Sequence, residues 1–325
     1  MSSTTRPSVR GLHHVTAIAG DPQENLDFYT RVLGLRLVKK SINQDAPNVY
    51  HLFFADGEGT PGTDITFFPW PKQPKAKPGV GQIVEVPLAI SAGSLDWWQT
   101  RFEELGVAQH AVEERFGERT LPFDDPHGLR LSLVEISQDR AFVPWQRSPV
   151  PQEHQILGLH SIRMWQTELD ATDLLLTQVM GFEYVEEESV WHRFAAAGHE
   201  DGGGSGSYVD IRIVPSGIEG NGGVGGVHHA AWRVRDEAEE LAVREAIARV
   251  GLQPTPVIDR FWFQSVYFRE PGGVLFELAT DGPGFGRDED MDQLGQILVL
   301  PPWLEGRREE IEARLPHLGP PVQRR

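Results

Sequence analysis

Apolar and polar positions along this chain change period in a fixed order. The stretch LHHVTAIA after Gly11 reads as a strand. Asp21-Pro22-Gln23-Glu24 then has the marks of a helix start, with Asp21 as cap, Pro22 in the first turn and Glu24 placed to bond back. From Asn25 to Leu33 the apolar residues fall at helical spacing, and Gly34 is placed to end the helix. Two alternating runs follow, Val49 to Phe54 and Asp64 to Phe68, and both predict strands. One unit is therefore a strand, a helix and about three further strands.

The order recurs three times. Ile83 to Ile90 is a strand, Ser94 opens a helix that Gly106 ends, and Leu129 to Val134 closes the second unit. The third begins with Gly158-Leu159-His160-Ser161-Ile162-Arg163 and carries a helix to Met180, with Gly181 as its stop. The fourth starts at Gly226, has a helix from about Glu237 to Val250, stops at Gly251 and finishes with Gly273 to Leu278. The expected modules span residues 8–70, 80–137, 156–215 and 225–282, grouped as a first pair within 8–140 and a second pair within 156–282. Proline-rich Val143 to Pro151 reads as a linker, set at 141–155, and residues 283–325 as a tail with an amphipathic helix from about Trp303 to Leu315. Gly202 to Ser207 reads as a hairpin tip.

The helix-ending glycines act as a ruler. Gly34 lies 20 residues after His14, Gly181 lies 20 after Ser161, and Gly251 lies 22 after His229, while counting 20 back from Gly106 reaches Val86. The second members of the pairs His13-His14 and His228-His229 thus occupy one structural position. Six residues past Pro61, Pro126 and Pro271 stand Phe67, Ser132 and Glu277, of which only Glu277 is a possible metal ligand.

Composition narrows the chemistry. The chain has no cysteine, so thiolate nucleophiles, disulfides and thiolate metal sites are excluded, and any metal is held by imidazole and oxygen. A net charge of −17 argues against nucleic acid, which needs a basic surface. No apolar run is long enough to span a membrane, and MSSTTRPSVRG lacks a secretory signal's apolar core, so a cytoplasmic protein is expected. Gly220 to Gly225 matches GxGxxG but precedes a strand instead of following one, and reads as a loop. No Walker-type lysine or nucleophile-elbow serine is found.

The histidine pairs carry the remaining signal. Side chains alternate along a strand, so only one of each pair is expected to enter a barrel interior. Leu12, His14, Thr16 and Ile18 share one face, as do Val227, His229, Ala231 and Arg233, and periodicity leaves open which face is inward. A lone strand histidine is ordinarily a hydrogen-bonded core or surface residue. At matched positions, two imidazoles and one carboxylate make a facial triad suited to Fe(II) with open positions.

Repeated βαβββ units that begin with a histidine strand and end in PGGxxFE resemble the vicinal oxygen chelate superfamily of glyoxalases, extradiol dioxygenases and bleomycin-resistance proteins. GLHHVTAIAGDPQENLDFYTRVLGLRLVKKSIN, YHLFFADGEGTPGTDITFFPW, GSLDWW, GVHHAAW, DR before a strand and PGGVLFELATDGPGF are most similar to its hydroquinone-type ring-cleaving dioxygenases. The resemblance implies an α+β fold of four modules in two open barrel-like domains. It implies His14, His229 and Glu277 as ligands of Fe(II), with Mn(II) suited to the same set, and His13, His228, Thr16, Arg260 and Tyr267 as residues of the pocket or behind the ligands, with His228, His13 and Tyr267 the candidates for acid and base. His160 aligns with His13 and is the reserve ligand should the register slip by one. The implied activity is ring cleavage of a hydroquinone or catechol with both atoms of O2 inserted, in a protein that could form homo-oligomers. The rival readings are a glyoxalase-like isomerase or lyase, which draws carboxylates from both paired modules where this chain has Phe67, and a metal-free drug-binding protein. The ligand set also requires the first and fourth modules to face one another.

Overall fold

A computed structural model describes residues 8–138, 140–197, 205–214 and 217–321, and the tip of the expected 202–207 hairpin falls outside them. Two curved sheets, with few helices, make an α+β architecture. The first runs from edge to edge as Ile258–Asp259, Gln264–Arg269, Leu275–Thr280, Val227–Val234, Leu12–Ala19, Asp64–Pro69, Ala46–Ala55 and Arg36–Asn43. The second runs as Phe182–Glu188, Trp191–Ala196, Tyr208–Ile213, Ser161–Gln166, Gln82–Ser91, Arg130–Ile136, Glu118–Asp124 and Glu113–Arg115. Modules one and four share the first sheet, and modules two and three share the second. Consecutive halves of the chain therefore do not each own a sheet.

Each sheet is built the same way. The opening strands of two modules pair antiparallel at its centre, and each pairs on its other side, in parallel, with the closing strand of its own module. Parallel neighbours need a crossover, and the helix of each module supplies it. In module one Asp21 accepts hydrogen bonds from the amides of Gln23 and Glu24 at 2.9 and 3.0 Å, as the sequence predicts. The Glu24 carboxylate does not bond back; it lies 3.2 Å from His127 Nε2. Gly106 and Gly181 end their helices at φ 68° and 79°, in the left-handed region where a Cβ would be strained.

One continuous core joins both sheets and includes Tyr29, Phe54, Phe67, Trp98, Phe123, Trp232 and Phe276. Each such side chain contributes roughly 1.5–3 kcal/mol by leaving water. The segment read as a linker is fastened across the molecule: Val143 N donates to Asp56 at 2.9 Å, and its carbonyl accepts from Gly57 N at 2.7 Å. The tail forms two short helices, Pro302–Glu305 and Arg308–Glu312, where one was expected. Leu304 and Ile311 hold them against Ile42.

The helix Glu237–Arg249 buries Glu240 completely, and neither carboxylate oxygen has a hydrogen-bond partner. Burial and the charge of Glu277 push this carboxyl up to about 7. A carboxyl whose pKa is raised on folding binds its proton more tightly in the folded chain, so stability falls as pH climbs from about 4.3, the unfolded value, towards 7. Glu240→Gln is expected to stabilise the protein by up to about 3 kcal/mol at pH 8, with the gain shrinking as pH falls below 7. Thermal melts at pH 5.5 and 8 measure it, and an equal gain at both would contradict the assignment.

Candidate metal centre

The site forms where the opening strands of modules one and four cross. Strict alternation would split each histidine pair between two faces, but a β-bulge intervenes at both. Leu12 pairs with Trp232 and His14 with Ala231, which leaves His13 as an extra residue; Thr16 pairs with His229 and Ala17 with Val227, which leaves His228 extra. An extra residue re-aims its side chain. His13 and His14 consequently lie on the same side, both against Phe263, at ring separations of 5.2 and 5.4 Å. Of each pair one member lines the cavity, His14 and His229, while the bulge keeps the other hydrogen-bonded to it instead of turned to the far face.

His14 Nε2, His229 Nε2 and Glu277 Oε2 converge: the two nitrogens are 3.2 Å apart, and the carboxylate oxygen lies 3.4 and 2.9 Å from them. All three residues are buried, and among the described residues they are the one His/Cys/Asp/Glu group with metal-holding geometry. Burial alone would raise the Glu277 carboxyl, but His14 and His229 hold it well below the usual range. Ser265 donates to Oε1 at 2.5 Å, while Oε2 is buried with no proper hydrogen bond. An anionic oxygen left short of donors, facing two imidazole nitrogens, fits a divalent cation.

The neighbouring histidines set the orientation of the converging ones. His13 Nδ1 lies 2.9 Å from His14 Nδ1, and His228 Nδ1 lies 2.8 Å from His229 Nδ1. If His14 and His229 offer Nε2 lone pairs to a cation, their Nδ1 atoms carry the protons and donate to their neighbours. Burial and His14 lower the pKa of His13, and burial and His229 lower that of His228 to about 4, so both are neutral acceptors at pH 7.

Beside the three convergent side chains lies a narrow cavity walled by Phe53, Phe68, Trp262 and Phe263, with His51, Arg260, Tyr267, Asn43, Gln44 and Asp45 among its polar groups. Tyr267 pairs across the strands with Glu277, its ring 5.7 Å from that of His229, and burial and the Glu277 charge raise its hydroxyl pKa. Arg260 lines the cavity and also pairs with Asp45 at 2.9 Å. It stands on a turn where Phe261 has φ 76°, uncommon for a bulky residue, and Asp259 accepts from the Phe261 amide at 2.7 Å. Thr16 does not line the cavity. Its hydroxyl lies 2.8 Å from that of Thr66, which is 2.9 Å from His51 Nε2. His160 is in the other sheet, 3.1 Å from Glu118, and takes no part.

Strand register corrects two positions read by counting. Thr16, two beyond His14, pairs with Thr66, as Ala231, two beyond His229, pairs with Glu277. The counterpart of Glu277 in module one is therefore Thr66, not Phe67, and it offers no carboxylate. In module two the bulge falls at Val84, because Arg163 pairs with Glu85 and Met164 with Ile83, so Glu85 and not Val86 matches His14. His51 went unnoticed in the sequence, where it sits unpaired in an apolar strand. A signal was present nonetheless: it alternates with Phe53 on the face that lines the cavity.

Residues 11–133 match the model of the Glyoxalase/Bleomycin resistance protein/Dioxygenase superfamily. A relative in Bacillus subtilis, provisionally named ring-cleaving dioxygenase MhqA, is 41% identical over 94% of this chain and 98% of its own length. The chlorohydroquinone/hydroquinone 1,2-dioxygenase of Sphingobium indicum is 35% identical over 93% of this chain and 95% of its own length. The chain belongs to this superfamily. A crystal structure of a protein provisionally called a dioxygenase, from Bacillus subtilis, shares the superfamily fold at TM-score 0.91, with 40% identity over 97% of this chain and 99% of that one. Glyoxalase I from Zea mays superposes at TM-score 0.63 with 15% identity, covering 84% of this chain and 93% of that one, which shows the common fold.

If His13 and His228 orient the superfamily-type ligands, then His13→Phe and His228→Phe weaken affinity for a divalent metal by about 10–100-fold while the fold is kept. Competition against a chelator measures this. Unchanged affinity in both variants would show that the two imidazoles do not act through His14 and His229.

Proposed function

We propose that this protein is an Fe(II)-dependent, extradiol-type dioxygenase that opens the ring of a hydroquinone or catechol. The observation that carries the reading is the convergence of His14, His229 and Glu277 beside an aromatic-walled cavity. The ring-cleaving names of relatives across nearly the whole chain support the same reaction class. Two imidazoles and one carboxylate suit Fe(II), and Mn(II) accepts the same donors. When bound, such a metal supplies Lewis acidity towards a phenolic oxygen and a redox partner for dioxygen.

The protein's own groups do the rest. Phe53, Phe68, Trp262 and Phe263 give the cavity an apolar aromatic wall suited to a planar ring. Arg260, ion-paired with Asp45 and with its guanidinium 5.4 Å from the Tyr267 ring centre, offers N–H donors on the cavity wall to a second hydroxyl or a ring substituent. Tyr267 keeps its proton at neutral pH and can donate it to oxygen in a hydrogen bond. His51 stands on another wall, with Thr66 and Thr16 behind it, and is placed to take up or return a proton. His13 and His228 are already engaged at Nδ1 and serve to aim their neighbours. Thr66 at the place of a second carboxylate sets this site apart from an isomerase that draws carboxylates from both modules.

Anaerobic loading with Fe(II), followed by oxygen-electrode assays on a panel of hydroquinones and catechols, tests the proposal. Uptake is expected in the native protein and is expected to vanish in His14→Ala, His229→Ala and Glu277→Ala, each checked for native circular dichroism. Full uptake in any of these would remove that residue from the site, and no uptake with any dihydroxybenzene would end the reading. His51→Phe is expected to lower kcat by about 10²-fold or more with metal content unchanged. A native kcat in that variant would exclude His51 from proton transfer.

A further inference from the structure

A second cleft lies beside Arg36, Leu37 and Lys40 of the first sheet's edge strand. Its volume is about 990 Å³, and none of its lining residues borders the metal centre's cavity. Arg31, Arg36, Lys40 and Arg147 all line it, in a chain whose net charge is −17. None of the four has a carboxylate partner among the described residues. Arg36 is buried, donating to the carbonyls of Gly57 at 2.6 Å and Leu294 at 3.4 Å, and Lys40 donates to the Gln296 carbonyl at 3.2 Å. Burial and the nearby Arg147 lower the pKa of Arg36, and Asp292, Glu289 and Glu58 act on it only from a distance. Glu289 is itself paired with Lys39.

A buried guanidinium held by carbonyls alone lacks a counter-charge, which is an expensive arrangement. Trp145, on the same wall, has its indole Nε1 buried with no acceptor. Leu26, Leu37, Leu294 and Leu318 give the cleft apolar surface beside these donors. We infer that this cleft binds a small organic anion, one or two carboxylates on an apolar skeleton, with the carboxylates at Arg36, Arg31 and Arg147 and the skeleton against the leucines and Trp145. Inorganic anions fit it less well, because they leave the apolar wall without a partner. The inference does not depend on the metal centre or on the proposed reaction.

Calorimetric titration of the full chain with phthalate tests it, with dimethyl phthalate and inorganic phosphate as comparison probes. Saturable one-to-one binding of phthalate is expected, weaker at high salt. Loss of one charged contact in Arg147→Glu or Arg31→Glu, at solvent-accessible positions, is expected to weaken it about tenfold or more. Glu277→Gln should bind phthalate as the native chain does. The inference is overturned if phthalate fails to saturate at millimolar concentration, if dimethyl phthalate or phosphate binds as tightly, or if both arginine variants bind normally. Loss of binding in Glu277→Gln would also overturn it, by moving the event to the metal centre.

Discussion

A carboxylate shut away from water at the junction of the first and last modules is the constraint on which the rest of the molecule depends. Glu277 has no exposed surface, and a buried charge is tolerated only when it is paired and hydrogen-bonded. Ser265 satisfies one oxygen, and the other faces two imidazoles contributed by strands more than two hundred residues apart in the chain. The sheet therefore has to join module one to module four, whatever the order of synthesis. The two central bulges follow from the same demand. Without them His13 and His228 would point away, and the Nδ1 atoms of His14 and His229 would lose the acceptors that turn their Nε2 atoms inward.

The second sheet shows what the same framework does without imidazoles. At the places equivalent to His14 and Glu277, modules two and three carry Glu85, Ser161, Ser132 and Asp210. A guanidinium supplies the cation there. Arg163 lies 3.6 Å from Glu85 and 3.8 Å from Asp210, while Arg193 grips Asp210 at 2.7 and 3.0 Å and reaches Glu118 at 3.0 Å. The rings of Trp191, Phe116 and Tyr208 close over the two arginines, with the nearest centroid at 3.6 Å. Both half-barrels thus concentrate opposite charges at one depth. In the second, the positive charge is covalent to the chain and leaves no room for exchange.

Much of this was legible in the residues, and the failures have identifiable causes. Helix-ending glycines and the capping Asp21 located the four modules because they report local backbone geometry, which a sequence encodes directly. The matched positions of His14 and His229 followed from the same ruler. Counting failed at Val86 and Phe67 because the stretches counted over, from opening strand to helix-ending glycine and from proline to closing strand, differ in length by one residue between modules, which no periodicity records. The pairing of module one with module four came from the ligand set that the resemblance implies and not from periodicity, because sheet partnership is a long-range choice. His51 escaped because nothing in its neighbourhood repeats elsewhere, and the two-helix tail because the turn at Gly306 interrupts a pattern that looks continuous.

Charge arithmetic links the missing second carboxylate to the kind of ligand the first half-barrel can accept. Two neutral imidazoles and one carboxylate contribute a single negative charge, so a divalent cation among them would leave the centre one unit positive. A second carboxylate at the place of Thr66 would cancel that charge and remove the electrostatic preference for an anionic oxygen. With Thr66 there, a divalent cation bound among the three side chains would favour an anionic oxygen over a neutral one, while Arg260 and Asp45 on the cavity wall offset one another. The apolar aromatic walls screen this charge less than water would, so the same few substitutions that open a coordination position also select the charge of what can fill it.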